Sequence, residues 1–375
     1  MNRTSPTDKL LFTPGPLTTS LTVKQAMLRD LGSRDAAFIR VVEEIRERLL
    51  AIGQVSKEAG YEAIPMQGSG TFGIEATLGS VIHRGGKLLV VINGAYGARI
   101  QAIAERLEIE CVAMRVAENT IPSAEQLHET LLNDVDITDV AVVHCETTTG
   151  IMNPVEELGQ VVHELGRTYI VDAMSSFGAV PLDLAAARID YLISSANKCI
   201  EGVPGFSFVI ANRANLMAGK GSARSMSLDL YAQWESLEKS GQFCFTPPTH
   251  TMLAFLEALQ ELDGEGGVIG RAKRYRENHV TLIRGMRELG FREYIDPELQ
   301  GWIITAFRYP EDPAFQFEEF YEQLSQRGML IYPGKLTAEE CFRIGNIGRI
   351  AVEEMNALLT AIRETLAEMR IRVPV

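Results

Sequence analysis

Between Glu62 and Val209 the chain alternates short apolar runs with amphipathic stretches, and this alternation limits the fold more than any other feature. The apolar runs are Ala63–Met66, Lys87–Ile92, Glu110–Val116, Asp139–Cys145, Thr168–Asp172, Tyr191–Ile193 and Phe206–Ala211. Between them Thr71–Val81, Gly97–Leu107, Ser123–Leu132 and Val155–Leu165 carry helical periodicity, the last after the start signal Asn153-Pro154. Strands in alternation with helices imply an α/β fold with a mostly parallel seven-stranded sheet covered on both faces. Phe206–Ala211 follows its predecessor after only a short turn, so it is expected to run antiparallel. No GxGxxG joins a strand to a helix, which weakens a dinucleotide-binding reading, and Gly85-Gly86 and Gly264–Gly267 read as turns.

Four stretches place chemistry at the exits of these strands, where open α/β sheets bind ligands. Tyr191-Leu192-Ile193 runs into Ser194-Ser195-Ala196-Asn197-Lys198 ahead of a Gly/Pro-rich turn. Tyr169-Ile170-Val171 ends in Asp172. Gln67-Gly68-Ser69-Gly70-Thr71 opens a helical pattern, and the free N–H groups of a helix start make a phosphate seat. Asn93-Gly94-Ala95-Tyr96-Gly97 puts an aromatic residue after the strand Lys87–Ile92. Each has a plain structural alternative: Lys198 as a loop lysine, Asp172 as a helix cap, Tyr96 as a core aromatic. Taken together, a lysine, a carboxylate, a phosphate seat and an aromatic plate describe a site for pyridoxal 5′-phosphate.

These stretches, with Leu11-Phe12-Thr13-Pro14-Gly15-Pro16-Leu17-Thr18-Thr19-Ser20, Glu146-Thr147-Thr148-Thr149-Gly150, Ser194–Gly205 and Phe245-Thr246-Pro247-Pro248-Thr249, resemble the class V aminotransferases of the fold-type I pyridoxal-phosphate enzymes. The resemblance runs from about Leu10 to Ala367. It implies that Lys198 takes the cofactor aldehyde and later moves a proton, and that Asp172 pairs the ring nitrogen. It implies that Tyr96 stacks on the ring, Thr147 bonds the ring hydroxyl, and Ser69, Gly70, Thr71 and Asn197 lie at the phosphate. Thr246 matches a residue that reaches the neighbouring subunit's cofactor, which implies a homodimer with a shared site. Phe243 stands where relatives often carry an aromatic hydroxyl, so that hydrogen bond is not expected. Gly15 would bring backbone to the substrate, and Arg343 would grip its acid group. A guanidinium suits both carboxylate and phosphonate, so one pocket can serve both halves of a ping-pong reaction. Within the class the implied donor is an aminophosphonate and the acceptor a 2-oxo acid. The serine and alanine:glyoxylate aminotransferases, built on the same residues, are the alternative. A cysteine desulfurase needs a mobile cysteine loop, and Cys341 has the apolar neighbours of a strand. His144 and Glu146 are expected to be structural.

The 375 residues suggest two domains, and a boundary is expected near Gly270 on a long charged helix, Ile269–Leu289. The expected division is an N-terminal segment 1–20, a large cofactor domain 21–269 and a small α/β domain 270–375. The small domain is read as strands near Phe291–Tyr294, Trp302–Arg308, Leu330–Tyr332 and Cys341–Ile344, with helices Phe315–Arg327 and Val352–Arg370. Met1–Lys9 is polar and reads as a loose end. A net charge of −13 argues against nucleic acid as a partner. The five cysteines are scattered, with no metal spacing, as for reduced thiols in a cytoplasmic protein. Neither a signal peptide nor a membrane span is expected.

Overall fold

The fold is described from a computed structural model, which covers residues 8–336, 339–372 and 374. The expected loose end at Met1–Thr7 lies outside the described residues. Seven strands form the main sheet: β1 Tyr61–Gln67, β2 Lys87–Ile92, β3 Glu110–Arg115, β4 Ile137–Val143, β5 Thr168–Asp172, β6 Tyr191–Ser195 and β7 Phe206–Asn212. Their order is β1-β7-β6-β5-β4-β2-β3. Strands β2 to β6 are parallel, and β7 is antiparallel to both β6 and β1. The inner strands are buried along nearly their whole length because helices cover both faces. Pro65 is tolerated because β1 is an edge strand, where no second neighbour needs its missing N–H.

Two helices set the mouth of the site. Helix α1, Gly70–Val81, follows β1, and helix α2, Ala95–Arg106, follows β2. Gly73 brings α1 down onto the sheet: a Cβ there would lie 2.8 Å from Ser207 Oγ and 3.0 Å from Ile193 Cγ2. A side chain would therefore push the helix start away from β6 and β7. The main hydrophobic core surrounds this sheet, from Val23 to Leu262.

A second core packs Phe291, Phe307, Phe320 and Phe342 with residues of the last helix, Val352–Glu368. It lies on a three-stranded antiparallel sheet, β8 Ile304–Arg308, β9 Tyr332–Pro333 and β10 Cys341–Gly345, in the order β8-β10-β9. Helix α3, Gly267–Glu288, supplies Leu282 and Met286 to this core. Its other turns reach back to the main body, where Tyr275 packs with Leu17, Cys145, Cys199 and Ile347. Gly266 and Gly267, both at positive φ, make the sharp turn into α3 that their spacing predicts. The expected strand at Phe291–Tyr294 does not form. After the turn at Gly290, φ 97°, the chain meets β8 only at the single bridge Glu293–Phe307, held by Tyr294 N to Ala306 O and Arg308 N to Arg292 O (2.9 Å each). Helices Arg213–Ala218 and Leu230–Ser240 were not anticipated from the sequence. Both begin at polar caps, Asn212 and Asp229, whose side chains accept backbone N–H bonds.

The N-terminal segment is stitched to the small sheet. Leu10–Leu11 pairs with Met329–Leu330, Gly345 N donates to Phe12 O (2.9 Å), and Arg349 N donates to Thr18 O (2.7 Å). This path carries Pro14 and Gly15 over the end of β6. Among the described residues no helix is long and apolar enough to cross a membrane, and no group of His, Cys, Asp and Glu could hold a metal ion.

Candidate active site

Lys198 lies three residues beyond the end of β6. Its Nζ donates to Pro14 O at 2.7 Å, and a Cβ on Gly15 would sit 2.9 Å from that nitrogen. Gly15 also has φ +124°, so both the backbone and the space require glycine where the segment crosses the lysine. Burial pushes the Lys198 ammonium below its ordinary pKa, although Tyr96, Cys199 and Asp172 partly oppose this. A larger share of neutral amine at working pH is what a nucleophilic, proton-moving lysine needs.

Asp172 ends β5 and is 3% exposed. One oxygen accepts Met174 N at 2.9 Å, and the other has no hydrogen-bond partner among the described residues. Burial pushes its carboxyl up to about 6, and the bond from Met174 only partly offsets it. Across from it, α1 begins at Ser69, which is extended and makes no side-chain cap. The N–H groups of Gly70 and Thr71 have no acceptor among the described residues. Gly70 is packed against Met174, whose sulfur a Cβ would strike, so the anion seat and Asp172 are held in one unit.

Tyr96 stands in the first turn of α2. Glu146, fully buried, accepts Tyr96 N (3.1 Å), Gly97 N (3.3 Å), Thr148 N (3.1 Å) and Thr148 Oγ1 (2.6 Å). It thus caps α2 from a distant strand exit, which accounts for its burial as a structural residue. Burial raises the Tyr96 hydroxyl, but Thr147 and the charges of Lys198, Lys335 and Arg343 outweigh it and hold it below its ordinary value. Arg343, on β10 and 1% exposed, donates Nη1 to Thr147 O (2.7 Å) and Nε to Pro333 O (3.0 Å). The structure thereby brings Lys198, Asp172, Tyr96, Thr147, Arg343, Gly15 and the Ser69–Thr71 turn to one end of the sheet.

Other expected residues lie apart from this group or carry no contact. Asn197 is half-buried and makes no hydrogen bond among the described residues. Thr246 is exposed, and its carbonyl accepts Gln67 Nε2 at 2.7 Å. Phe243 is buried in the main core, a packing role that needs no hydroxyl. His144 donates its backbone N–H to Asp172 O (2.8 Å), and burial pushes its ring down to about 4, so the imidazole is neutral. Cys341 is buried in β10, and burial raises its thiol, the opposite of a reactive cysteine.

Two groups escaped sequence reasoning. Arg99 and Lys335 each lie 4.9 Å from the Tyr96 ring centroid. Beneath Lys198, Glu201 accepts Tyr275 Oη (2.5 Å) and Arg274 Nη2 (2.7 Å), and Arg271 donates Nη1 to Cys199 O (2.5 Å). Glu265 accepts Nε of both arginines (2.6 Å each). The spacing of Arg271, Arg274 and Tyr275 on α3 signals a shared face, but nothing near Glu201 in the sequence names them as its partners.

The buried carboxylate with a free oxygen, the unpaired helix-start amides and the desolvated lysine fit pyridoxal phosphate. Around a mostly parallel sheet they define a pyridoxal-phosphate-dependent transferase of fold type I. The Aminotransferase class-V family model matches residues 19–350, and the chain belongs to that family. It is an aminotransferase, and pyridoxal phosphate is its cofactor. The 2-aminoethylphosphonate–pyruvate transaminases of Salmonella schwarzengrund and Salmonella typhimurium are each 52% identical to it over 359 residues, covering 95% of this chain and 97% of theirs. The fold is shared with solved structures, among them ureidoglycine-glyoxylate aminotransferase from Bacillus subtilis (TM-score 0.89, 23% identity, 100% of this chain and 96% of that one). Alanine–glyoxylate aminotransferase from Nostoc sp. is similar at TM-score 0.89 and 24% identity, over 98% and 97% of the two chains.

Proposed function

We propose that the chain transfers the amino group of 2-aminoethylphosphonate to pyruvate, giving phosphonoacetaldehyde and L-alanine, in phosphonate degradation. The observation that carries this reading is Arg343, a buried guanidinium held at the same mouth as Lys198 by Thr147 O and Pro333 O. The 52% identity to transaminases of that name over nearly the whole chain supports the choice of donor.

In this reading Lys198 Nζ would hold the cofactor through its aldehyde. Its neutral amine would carry the proton between the substrate's amino-bearing carbon and the cofactor carbon on the other side of the nitrogen. When bound, pyridoxal phosphate supplies an aldehyde for the amino group and a cationic ring that accepts the electron pair left at that carbon. Asp172 would pair the protonated ring nitrogen through its unpartnered oxygen. Ser69, Gly70, Thr71 and Asn197 would hold the phosphate, Tyr96 would pack on the ring, and Thr147 would bond its hydroxyl. Gly15 lets the N-terminal segment close over the lysine and exclude water. Arg343 fixes the acid group of either substrate.

Thr246, exposed in the single chain, would complete the partner's site in a homodimer. A division into a large unit, 21–269, and a small one, 270–375, is supported by the two cores that α3 connects, with the segment 1–20 joined to the small unit through Phe12. A cytoplasmic protein with small-molecule substrates and no nucleic-acid or membrane partner accords with the charge of −13.

The test compares 2-aminoethylphosphonate with pyruvate against serine and alanine with glyoxylate, and cysteine, in wild type and Arg343→Lys. The first pair is expected to have the largest kcat/KM. Arg343→Lys is expected to cost about 2–3 kcal/mol through loss of paired charged hydrogen bonds. A higher kcat/KM with glyoxylate in the wild type would replace this reading by the glyoxylate one.

A further inference from the structure

Arg343 alone is an incomplete receptor for a phosphonate. At least two of its five N–H donors are committed, Nε to Pro333 O and one of Nη1 to Thr147 O, and the guanidinium also bonds the Tyr96 hydroxyl. A phosphonate above its second ionisation carries two charges on three oxygens, whereas pyruvate carries one charge on a planar carboxylate. One partly occupied planar fork matches the second better than the first.

The loop that enters β10 brings a second cation to the same mouth. Pro333 pairs with Phe342, and Gly334 N donates to Cys341 O at 3.0 Å, with no room for a side chain at Gly334 because a Cβ would strike that carbonyl. The residue after this pinned glycine is Lys335. Its Nζ lies 4.9 Å from the ring centroid of Tyr96, the phenol that Thr147 and Arg343 also border. Lys335 is exposed and forms no ion pair among the described residues. Its side chain is a flexible point charge, the complement of a fixed guanidinium fork.

We propose that Lys335 is a specificity-determining residue that joins Arg343 in a two-cation cradle for a dianionic phosphonate and adds little for a monoanion. The proposal rests on the function given above and names what selects its donor. It also explains how one pocket serves both halves of the reaction: pyruvate engages Arg343, and the phosphonate engages both cations. Arg99 lies equally close to the Tyr96 ring but on α2 and not on the loop that enters β10, and serves as the comparison residue.

The test uses an unreactive pair of the same size. 2-Hydroxyethylphosphonate is a dianion at about pH 8, and 2-hydroxyethanesulfonate is a monoanion. Their dissociation constants are measured by calorimetry on the cofactor-loaded wild type, Lys335→Met, Lys335→Arg and Arg99→Met. The wild type is expected to bind the phosphonate more tightly. Lys335→Met is expected to weaken it on the order of fivefold, as for an exposed charge pair, and to change the sulfonate less than twofold. Lys335→Arg should restore most of the difference, and Arg99→Met should leave it intact. Equal losses for both ligands in Lys335→Met, no loss for either, or the selective loss appearing in Arg99→Met instead would overturn the proposal. If the wild type binds neither ligand and does not use 2-aminoethylphosphonate, the functional reading falls with it. If it uses that donor while Lys335→Met keeps the wild-type selectivity, only the role of Lys335 falls.

Discussion

Two clusters of charge lie about the Lys198 turn, and they are built on opposite rules. Behind the turn, Glu201 and Glu265 face Arg271 and Arg274, so two carboxylates meet two guanidiniums. Burial alone would raise the Glu265 carboxyl, but the bond from Arg274 and the charge of Arg271 outweigh it and hold it at about 2. In front of the turn, Asp172 has one backbone donor and an unpartnered oxygen, and burial drives its carboxyl up to about 6. There Lys198, Lys335 and Arg343 surround Tyr96 with no carboxylate paired to any of them among the described residues. Charge matched within the protein holds the fold. Charge left unmatched is held ready for a ligand that brings the missing partners.

The largest effect should come from the unmatched side. Lys198→Ala is expected to fold normally and lose at least ~10⁴-fold in turnover, since both the anchoring amine and the proton carrier are gone. Borohydride reduction should fix cofactor to the wild type and not to the variant. Turnover within tenfold of wild type would remove Lys198 from its role.

Asp172→Asn separates function from stability. Turnover is expected to fall by about 10³-fold, because a neutral amide replaces a charge-assisted bond. The cofactor-free protein should respond the other way. Its Asp172 carboxyl is held above its ordinary 3.8, so the folded state keeps a proton that the unfolded chain releases. Wild-type stability without cofactor therefore drops as pH rises from about 4 to about 6, and stays lower above that. Without the carboxylate the variant should be more stable than cofactor-free wild type above about pH 6, by on the order of 1–3 kcal/mol, and the two should converge below about pH 4. Glu265 has the opposite sign: its contribution is present above its ordinary 4.5 and is lost as pH falls toward 2. Urea unfolding across this pH range reads both, and a cofactor-free Asp172→Asn no more stable than wild type at about pH 7 would break the contrast.

Glu201→Gln tests the matched side. Removing one charge from a buried ion-pair cluster is expected to destabilise by about 3 kcal/mol with or without cofactor. Turnover in the protein that remains folded should fall far less than in Asp172→Asn, because Glu201 supports the turn through Lys198 O and touches no reacting atom. A stability loss that disappears in the cofactor-loaded protein would place Glu201 with the ligand-dependent group instead.

Much of this was legible in the chain. The runs at Lys87–Ile92 and Thr168–Asp172 coincide with β2 and β5, because continuous apolar residues bounded by turns suit only a doubly covered strand. Lys198, Asp172, Tyr96 and the Ser69–Thr71 turn could be found because parallel strands end on the same edge, so strand-exit residues far apart in sequence converge. Phe291–Tyr294 misled because aromatic residues at both ends of a short segment after a glycine turn resemble a strand, whereas its pairing with the Ile304–Arg308 strand is confined to the one bridge at Glu293. Lys335 and Arg99 carry no pattern at all: an exposed cation reads the same on a solvated face as beside a substrate pocket.

The sequence by itself determined the layers, the strand exits and the residue types of the site, because hydrophobic periodicity and turn chemistry act between near neighbours. Only the tertiary structure decided which charges are matched. Glu201 finds Arg271 and Arg274 some 70 residues away, and Asp172 finds no cation bonded to its second oxygen. Pairing across such separations depends on how α3 and the small sheet dock against the lysine turn, and burial then fixes each pKa through the partners that docking supplies or withholds.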